Sequence, residues 1–180
     1  MARGFGGELS FGRAVGLEFH FLQKKNSMAN TYTQLYIQLV FAVKNREHLI
    51  PRQHKDDVYK YMTGVIQAHK HKLIVINGLP DHVHIFIGLH PNQSLSELVY
   101  EVKTATTKYI KKQPWMKFDF AWQKGFGAFS YSRSHIDAVY KYIQNQEEHH
   151  KKRTFKEEYL DFLKKFEVEY DEKYLFDFFD

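Results

Sequence analysis

Apolar positions along this chain follow two rhythms. From Tyr32 to Val43 (YTQLYIQLVFAV), Leu35, Ile37, Leu39 and Phe41 recur at every second residue among β-branched and aromatic neighbours, which is the period of a strand. Pro51 then opens a helical stretch in which Val58, Met62, Val65 and Ile66 share one face. Leu73 to Asn77 (LIVIN) reads as a short buried strand, Gly78-Leu79-Pro80-Asp81 as a turn, and His82 to Leu89 (HVHIFIGL) as the returning strand of a hairpin. Ser94 and Glu97 form a capping box that starts a helix with Leu95, Leu98, Val102 and Ala105 inward, ending near Pro114. Phe118 to Trp122 reads as extended, and the Gly-rich, aromatic stretch Gln123 to Ser132 as strand and loop. Ser134 with Asp137 predicts a helix running to about His150, with Ile136, Val139, Tyr140 and Ile143 as its core stripe. The order β-α-β-β-α-β-α predicts an α+β, ferredoxin-like sandwich: an antiparallel sheet with helices packed on it.

At 180 residues the chain can bury a core without cross-links, and with no cysteine it has neither disulfides nor a cysteine zinc site. That usage fits a reducing, cytoplasmic setting. No apolar run approaches the ~20 residues of a membrane-spanning helix. Residues 1–27 read as a leader or non-native extension outside the fold, because Arg13, Glu18 and His20 interrupt any signal-like apolar core and Met28 offers a second start. The expected catalytic domain is residues 28–152, followed by a C-terminal tail, 153–180, that is helical from Phe155 and then acidic and aromatic. A formal charge of +5 with 17% aromatic residues suits phosphate-rich, single-stranded partners, although much of the aromatic content belongs to the core.

The fold hosts many functions, so function rests on a site. His82-Val83-His84 lies on a strand, where alternation puts both imidazoles on one face, placed to hold one divalent ion. The flanking IFIGL is as apolar as a central strand, and a buried histidine pair without partners would be costly. On the late helix Tyr142 projects from the flank of the stripe with Gln146 one turn on and His149 beyond, so a hydroxyl nucleophile and an amide ligand can serve one site. His69 with His71 and His149 with His150 sit at helix ends amid lysines, where solvation and the helix dipole account for them. Lys103, Lys108, Lys111 and Lys112 on the second helix, and Lys124 beside the aromatic loop, are candidate phosphate contacts; a solvated lysine face is the equal alternative.

The pair His82-Val83-His84, preceded by Asp81 and followed far along the chain by Tyr142-Ile143-Gln144-Asn145-Gln146, resembles the single-tyrosine HUH transposases of bacterial insertion sequences. The resemblance spans roughly Met28 to Lys152. It implies that His82, His84 and Gln146 ligate a Mg2+ or Mn2+ ion and that Tyr142 is the nucleophile, cutting single-stranded DNA near hairpins through a 5′-phosphotyrosine. It also implies a homodimer in which the tyrosine helix of one subunit completes the histidine site of the other. Relaxases of this chemistry place the tyrosine before the histidine pair, and initiators carry a lysine where this chain has Gln146; both differences favour a transposase. Three readings stand beside it. One is a domesticated relative that processes chromosomal palindromes. Another is a ferredoxin-like nucleic-acid-binding module without catalysis, and the third is a zinc hydrolase using Asp81 as its acid.

Overall fold

The computed structural model describes residues 32–175. The expectation for residues 1–27 lies outside the described residues. The elements are β1 Tyr36–Ala42, α1 Lys55–Ala68, β2 Lys72–Leu79, β3 His82–Gly88, α2 Leu95–Lys111, β4 Gly127–Tyr131, α3 Ile136–Gln144, α4 Gln146–His149 and α5 Phe155–Lys165, with short 3-10 turns between some of them. The four strands form one sheet in the order β2-β3-β1-β4, every pair antiparallel. This is the ferredoxin-like arrangement that the element order predicts.

The sheet is buried on both faces. Leu39, Phe41, Val83, Ile85 and Ile87 pack against Val58, Met62 and Ile66 of α1 and Leu98, Val102 and Ile110 of α2. On the opposite face, Val40, Ala42 and Phe129 meet Phe155, Tyr159, Phe162 and Leu163 of α5, while Val75 and Phe86 meet Val139 and Ile143 of α3. The tail expected after residue 152 therefore supplies one of the layers. Double coverage explains why β3 is apolar at both parities and why His82 and His84 are fully buried.

Several local expectations shift. The first strand begins at Tyr36, and Leu35 is 44% exposed. β2 extends to Leu79 with an irregularity between Leu73 and Val75, which leaves Pro80 and Asp81 as the turn. Gly78 is required there, since a Cβ would lie 2.2 Å from the carbonyl oxygen of His82. On α2 the Ser94–Glu97 capping box forms as expected, but Thr106 is the fully buried residue and Ala105 only half-buried; the Thr106 hydroxyl donates to the Val102 carbonyl. Of the expected extended stretch, Trp122 makes an isolated bridge to Val43.

Ser134 does not cap the tyrosine helix. A 3-10 turn, Arg133–His135, precedes α3, and neither it nor α3 has a side-chain cap. The helix expected to continue to His150 breaks at Asn145 and restarts as α4. Tyr140, expected in the core stripe, is 40% exposed. The inward stripe of α3 is Val139 and Ile143, and at ~100° per residue Tyr140 and Tyr142 stand about 80° to either side of its centre; Gln146, beyond the break, is buried as well. Periodicity treats the two tyrosines alike; α5 covers the side on which Tyr142 stands.

Candidate active site

Strand alternation places His82, His84 and Phe86 on the face that α3 and α5 cover. Ala42 and Val40 stand opposite the two histidines on β1, and Leu79 and Asn77 stand opposite them on β2. Asn77 also ties in the tyrosine helix: its amide donates to the carbonyls of Ile143 and Gln144, both at 2.9 Å, satisfying the otherwise open end of α3.

Each imidazole is oriented through Nδ1. His82 Nδ1 donates to Asp81 Oδ1 at 2.7 Å. Burial by itself would push the Asp81 carboxyl up, but the hydrogen bond and charge of His82, with the Arg46 guanidinium, outweigh it and hold Asp81 well below the usual carboxylate range. Arg46 reaches Asp81 from a turn in which Asn45 and Arg46 both adopt positive φ. Its guanidinium also lies 4.5 Å from the centre of the Phe155 ring, and that ring stacks on His82 at 4.2 Å. His84 Nδ1 faces the Gln38 amide at 3.0 Å, and the Tyr131 hydroxyl holds the other end of that amide. Burial pushes the His82 imidazole below its ordinary pKa despite the pull of Asp81.

Tyr142 comes to this site within its own chain. Its ring is 6.2 Å from that of His84, and its hydroxyl donates to Glu158 Oε1. Gln146 is fully buried and its amide nitrogen donates to the same oxygen at 2.8 Å. The other carboxylate oxygen, Glu158 Oε2, lies 3.4 Å from His84 Nε2 and 3.2 Å from His150 Nε2. His149 and His150 are not solvated helix ends: the His149 ring stands 5.2 Å from Tyr142, and His150 Nδ1 donates to the Arg153 carbonyl at 3.0 Å. Burial, helped by the neighbouring His82, pushes His150 down to about 3, so its imidazole stays neutral. His71, another residue read as a helix end, is buried and bonds to Gln93.

The donors fit an ion. His82 Nε2, His84 Nε2, His150 Nε2, Glu158 Oε2 and Gln146 Oε1 are all buried without a hydrogen-bond partner. One ligand atom each from His82, His84, His150 and Glu158 lies within 4.8 Å of all the others. Leaving a buried polar atom unsatisfied costs about 1–3 kcal/mol. Five together would rival the stability of an ordinary domain, on the order of 5–15 kcal/mol. A cation among them removes that cost.

Beside Tyr142 lies a cavity of about 380 Å3 lined by Tyr131, His135, Tyr142, Arg153, Phe162 and Lys165. A groove of about 580 Å3 runs between α2 and residues 121–126, with Tyr100, Lys108, Lys124 and Phe126 on its walls. The five candidate lysines separate here. Lys108, Lys112 and Lys124 are exposed. Lys111 pairs with Asp119 at 2.6 Å, and Lys103 is half-buried, its ammonium donating to the carbonyls of Gln123 and Gly125.

The sequence profile described as "Transposase IS200 like" matches residues 31–146. That chain of matched residues contains His82, His84, Tyr142 and Gln146. The protein belongs to the IS200-like transposase family. Membership makes it a DNA-cleaving and DNA-transferring enzyme in the broad sense. ISDra2 transposase TnpA of Deinococcus radiodurans is 22% identical over 132 residues, covering 69% of this chain and 92% of that protein. A candidate transposase from Deinococcus radiodurans, solved as a crystal structure, shares the fold with a TM-score of 0.50 and 20% identity, over 64% of this chain and 93% of its own. A REP-associated tyrosine transposase bound to a REP hairpin shares it with a TM-score of 0.52 and 15% identity, over 67% and 72%.

Two residues of this site, His150 and Glu158, lie beyond the family match and escaped the sequence reading. Glu158 did leave a signal. It occupies the apolar stripe of α5, Phe155, Tyr159, Phe162 and Leu163, at helical spacing, and an acid on such a stripe is a buried acid. The Thr154–Glu157 capping box fixes the frame of that helix. Gln38 and Arg46 left no comparable mark.

Proposed function

We propose that this transposase cuts and rejoins single-stranded DNA through a tyrosine-phosphate intermediate, with a divalent ion held by His82 and His84. The carrying observation is that Tyr142 reaches its own histidine pair and donates its hydroxyl proton to a buried carboxylate, Glu158. Gln146 is the further ion ligand that the resemblance supplies, and its buried, unpartnered Oε1 supports that role. When bound, the ion withdraws charge from a non-bridging phosphate oxygen and orients the phosphate.

A free tyrosine, with a pKa near 10, is a poor nucleophile. Here Glu158 Oε1 holds the hydroxyl and takes its proton as the Tyr142 oxygen bonds to phosphorus. The bond from phosphorus to the 3′ oxygen breaks, and that oxygen takes a proton from solvent water to leave as a 3′-hydroxyl. The 5′-phosphotyrosine keeps the energy of the cut, so a later 3′-hydroxyl can displace Tyr142 and seal DNA without a nucleotide cofactor. The cavity beside Tyr142 supports a flanking nucleotide there, with aromatic faces to stack a base and Arg153 and Lys165 near its phosphate. Both cations also pair with Asp161, which fixes them in place. Lys108 and Lys124 in the groove, with exposed Lys112, suit phosphates of a longer strand or hairpin. A chromosomal-palindrome processor is a second reading, favoured by the likeness to a transposase bound to a REP hairpin.

A labelled single-stranded hairpin oligonucleotide from the sequence flanking the gene tests this with manganese on a denaturing gel. The expected result is a labelled band at protein mass that vanishes in Tyr142→Phe and survives in Tyr140→Phe. An oligonucleotide that binds yet yields no covalent species with any divalent ion would overturn the reading.

A further inference from the structure

We infer that His150 and Glu158 complete the ion's coordination shell, making a centre of three imidazoles and a carboxylate that selects a transition-metal ion over magnesium. The inference rests on the proposed metal dependence and names residues outside the stretch that the family profile matches, which ends at residue 146.

The first argument is the state of the ring nitrogens. A ligating histidine donates Nδ1–H to a fixed acceptor and turns a bare Nε2 to the ion. His82 does this toward Asp81 Oδ1 and His150 toward the Arg153 carbonyl. In the structure the Gln38 amide nitrogen faces His84 Nδ1 and its oxygen accepts from the Tyr131 hydroxyl; turned over by 180°, the same amide accepts from Nδ1–H and donates to Tyr131, and His84 then follows the pattern. All three Nε2 atoms, and Glu158 Oε2, are then lone-pair donors, buried and without hydrogen bonds. Four lone pairs converging within 4.8 Å repel one another unless a cation lies between them.

The second argument is spacing. Tetrahedral bonds of about 2.0–2.1 Å place ligand atoms about 3.3–3.4 Å apart. Two of the six pairs sit at that spacing, Glu158 Oε2 at 3.4 Å from His84 Nε2 and at 3.2 Å from His150 Nε2, and all four atoms lie within 4.8 Å of one another. The third is donor chemistry. Magnesium takes oxygen ligands and keeps its water, whereas three imidazoles with a carboxylate suit zinc, cobalt, nickel, iron or manganese. Gln146 Oε1 can add a second oxygen without altering this preference. Glu158 then joins ion and nucleophile through its two oxygens: Oε2 faces the ion ligands while Oε1 receives the hydroxyl of Tyr142 and the amide of Gln146.

X-ray absorption of the zinc-loaded wild-type chain counts imidazoles directly and depends on no variant folding. Three imidazoles are expected, and two would overturn the inference. Titration with cobalt should give a spectrum that a hundredfold excess of magnesium does not displace. His150→Ala and Glu158→Gln should each weaken cobalt binding at least tenfold, with circular dichroism confirming that each variant is folded. Unchanged affinity in both folded variants would also overturn it, leaving the metal-dependent reading intact. Failure of the wild type to bind any divalent ion would sink that reading and this one together.

Discussion

Lys103 shows how a single position can carry a charge for structural reasons. Its ammonium is committed to the carbonyls of Gln123 and Gly125, 5.1 Å from the centre of the Phe41 ring. Burial pushes it down to about 8. Between pH 8 and 10 the unfolded chain therefore holds a proton that the folded chain has released, and stability rises with pH across that window. Above pH 10, burial of Tyr131 and Tyr159, both pushed up to about 12, acts in the opposite direction. Urea unfolding from pH 7.5 to 10 should show a rise on the order of 1 kcal/mol after allowance for solvent screening. In Lys103→Arg, which does not titrate there, the rise should disappear; a rise of equal size would assign it to another group. At this scale the sequence was legible where chemistry is carried by a pattern. His-x-His on a strand puts two imidazoles on one face by alternation, and both are buried on the face that α3 and α5 cover. It misled for Tyr140, which the stripe placed in the core: Tyr140 and Tyr142 flank Val139 and Ile143 symmetrically, and a neighbouring helix covers only the side of Tyr142.

Elements were legible by type and less so at their ends. The strands and the first two helices follow from period and from the Ser94 cap, since each of these signals is local. The break at Asn145 is not local. The end of α3 is held by Asn77 from a distant strand, and the restart turns Gln146, His149 and His150 toward Glu158. The setting of α5 is local again: the Thr154 hydroxyl accepts from the Glu157 amide, and the Glu157 carboxylate accepts from the Thr154 amide. Thr154→Ala removes one half of this box and should destabilise the protein by about 1 kcal/mol, seen as a lower urea midpoint at unchanged slope. The loss should extend beyond α5, because the helix covers Val40, Ala42 and Phe129 of the sheet. A midpoint that does not move would mean that packing alone sets the frame of α5.

For the whole molecule, the question is whether one chain suffices for one site. The resemblance to single-tyrosine transposases implies that the tyrosine helix of one subunit completes the histidine site of another. In this chain Tyr142, Gln146, His150 and Glu158 converge on their own His82 and His84. Three connections hold that arrangement: Asn77 grips the end of α3, Tyr142 donates to Glu158, and Phe155 stacks on His82. A helix exchange would make the same contacts between chains, so oligomeric state alone does not decide the matter. Mixing does. A Tyr142→Phe chain keeps its histidines and a His84→Ala chain keeps its tyrosine. If helices are exchanged, co-refolding the two produces one intact site per mixed pair, and covalent adduct forms. If each site is built within one chain, the mixture stays as inactive as its parts. We expect no adduct from the mixture, measured on the same denaturing gel against a wild-type control taken through the same refolding. Adduct approaching a quarter of the wild-type yield, since half of randomly paired dimers are mixed and each holds one intact site of two, would show that the tyrosine helix is exchanged, and would make a dimer obligatory for cleavage.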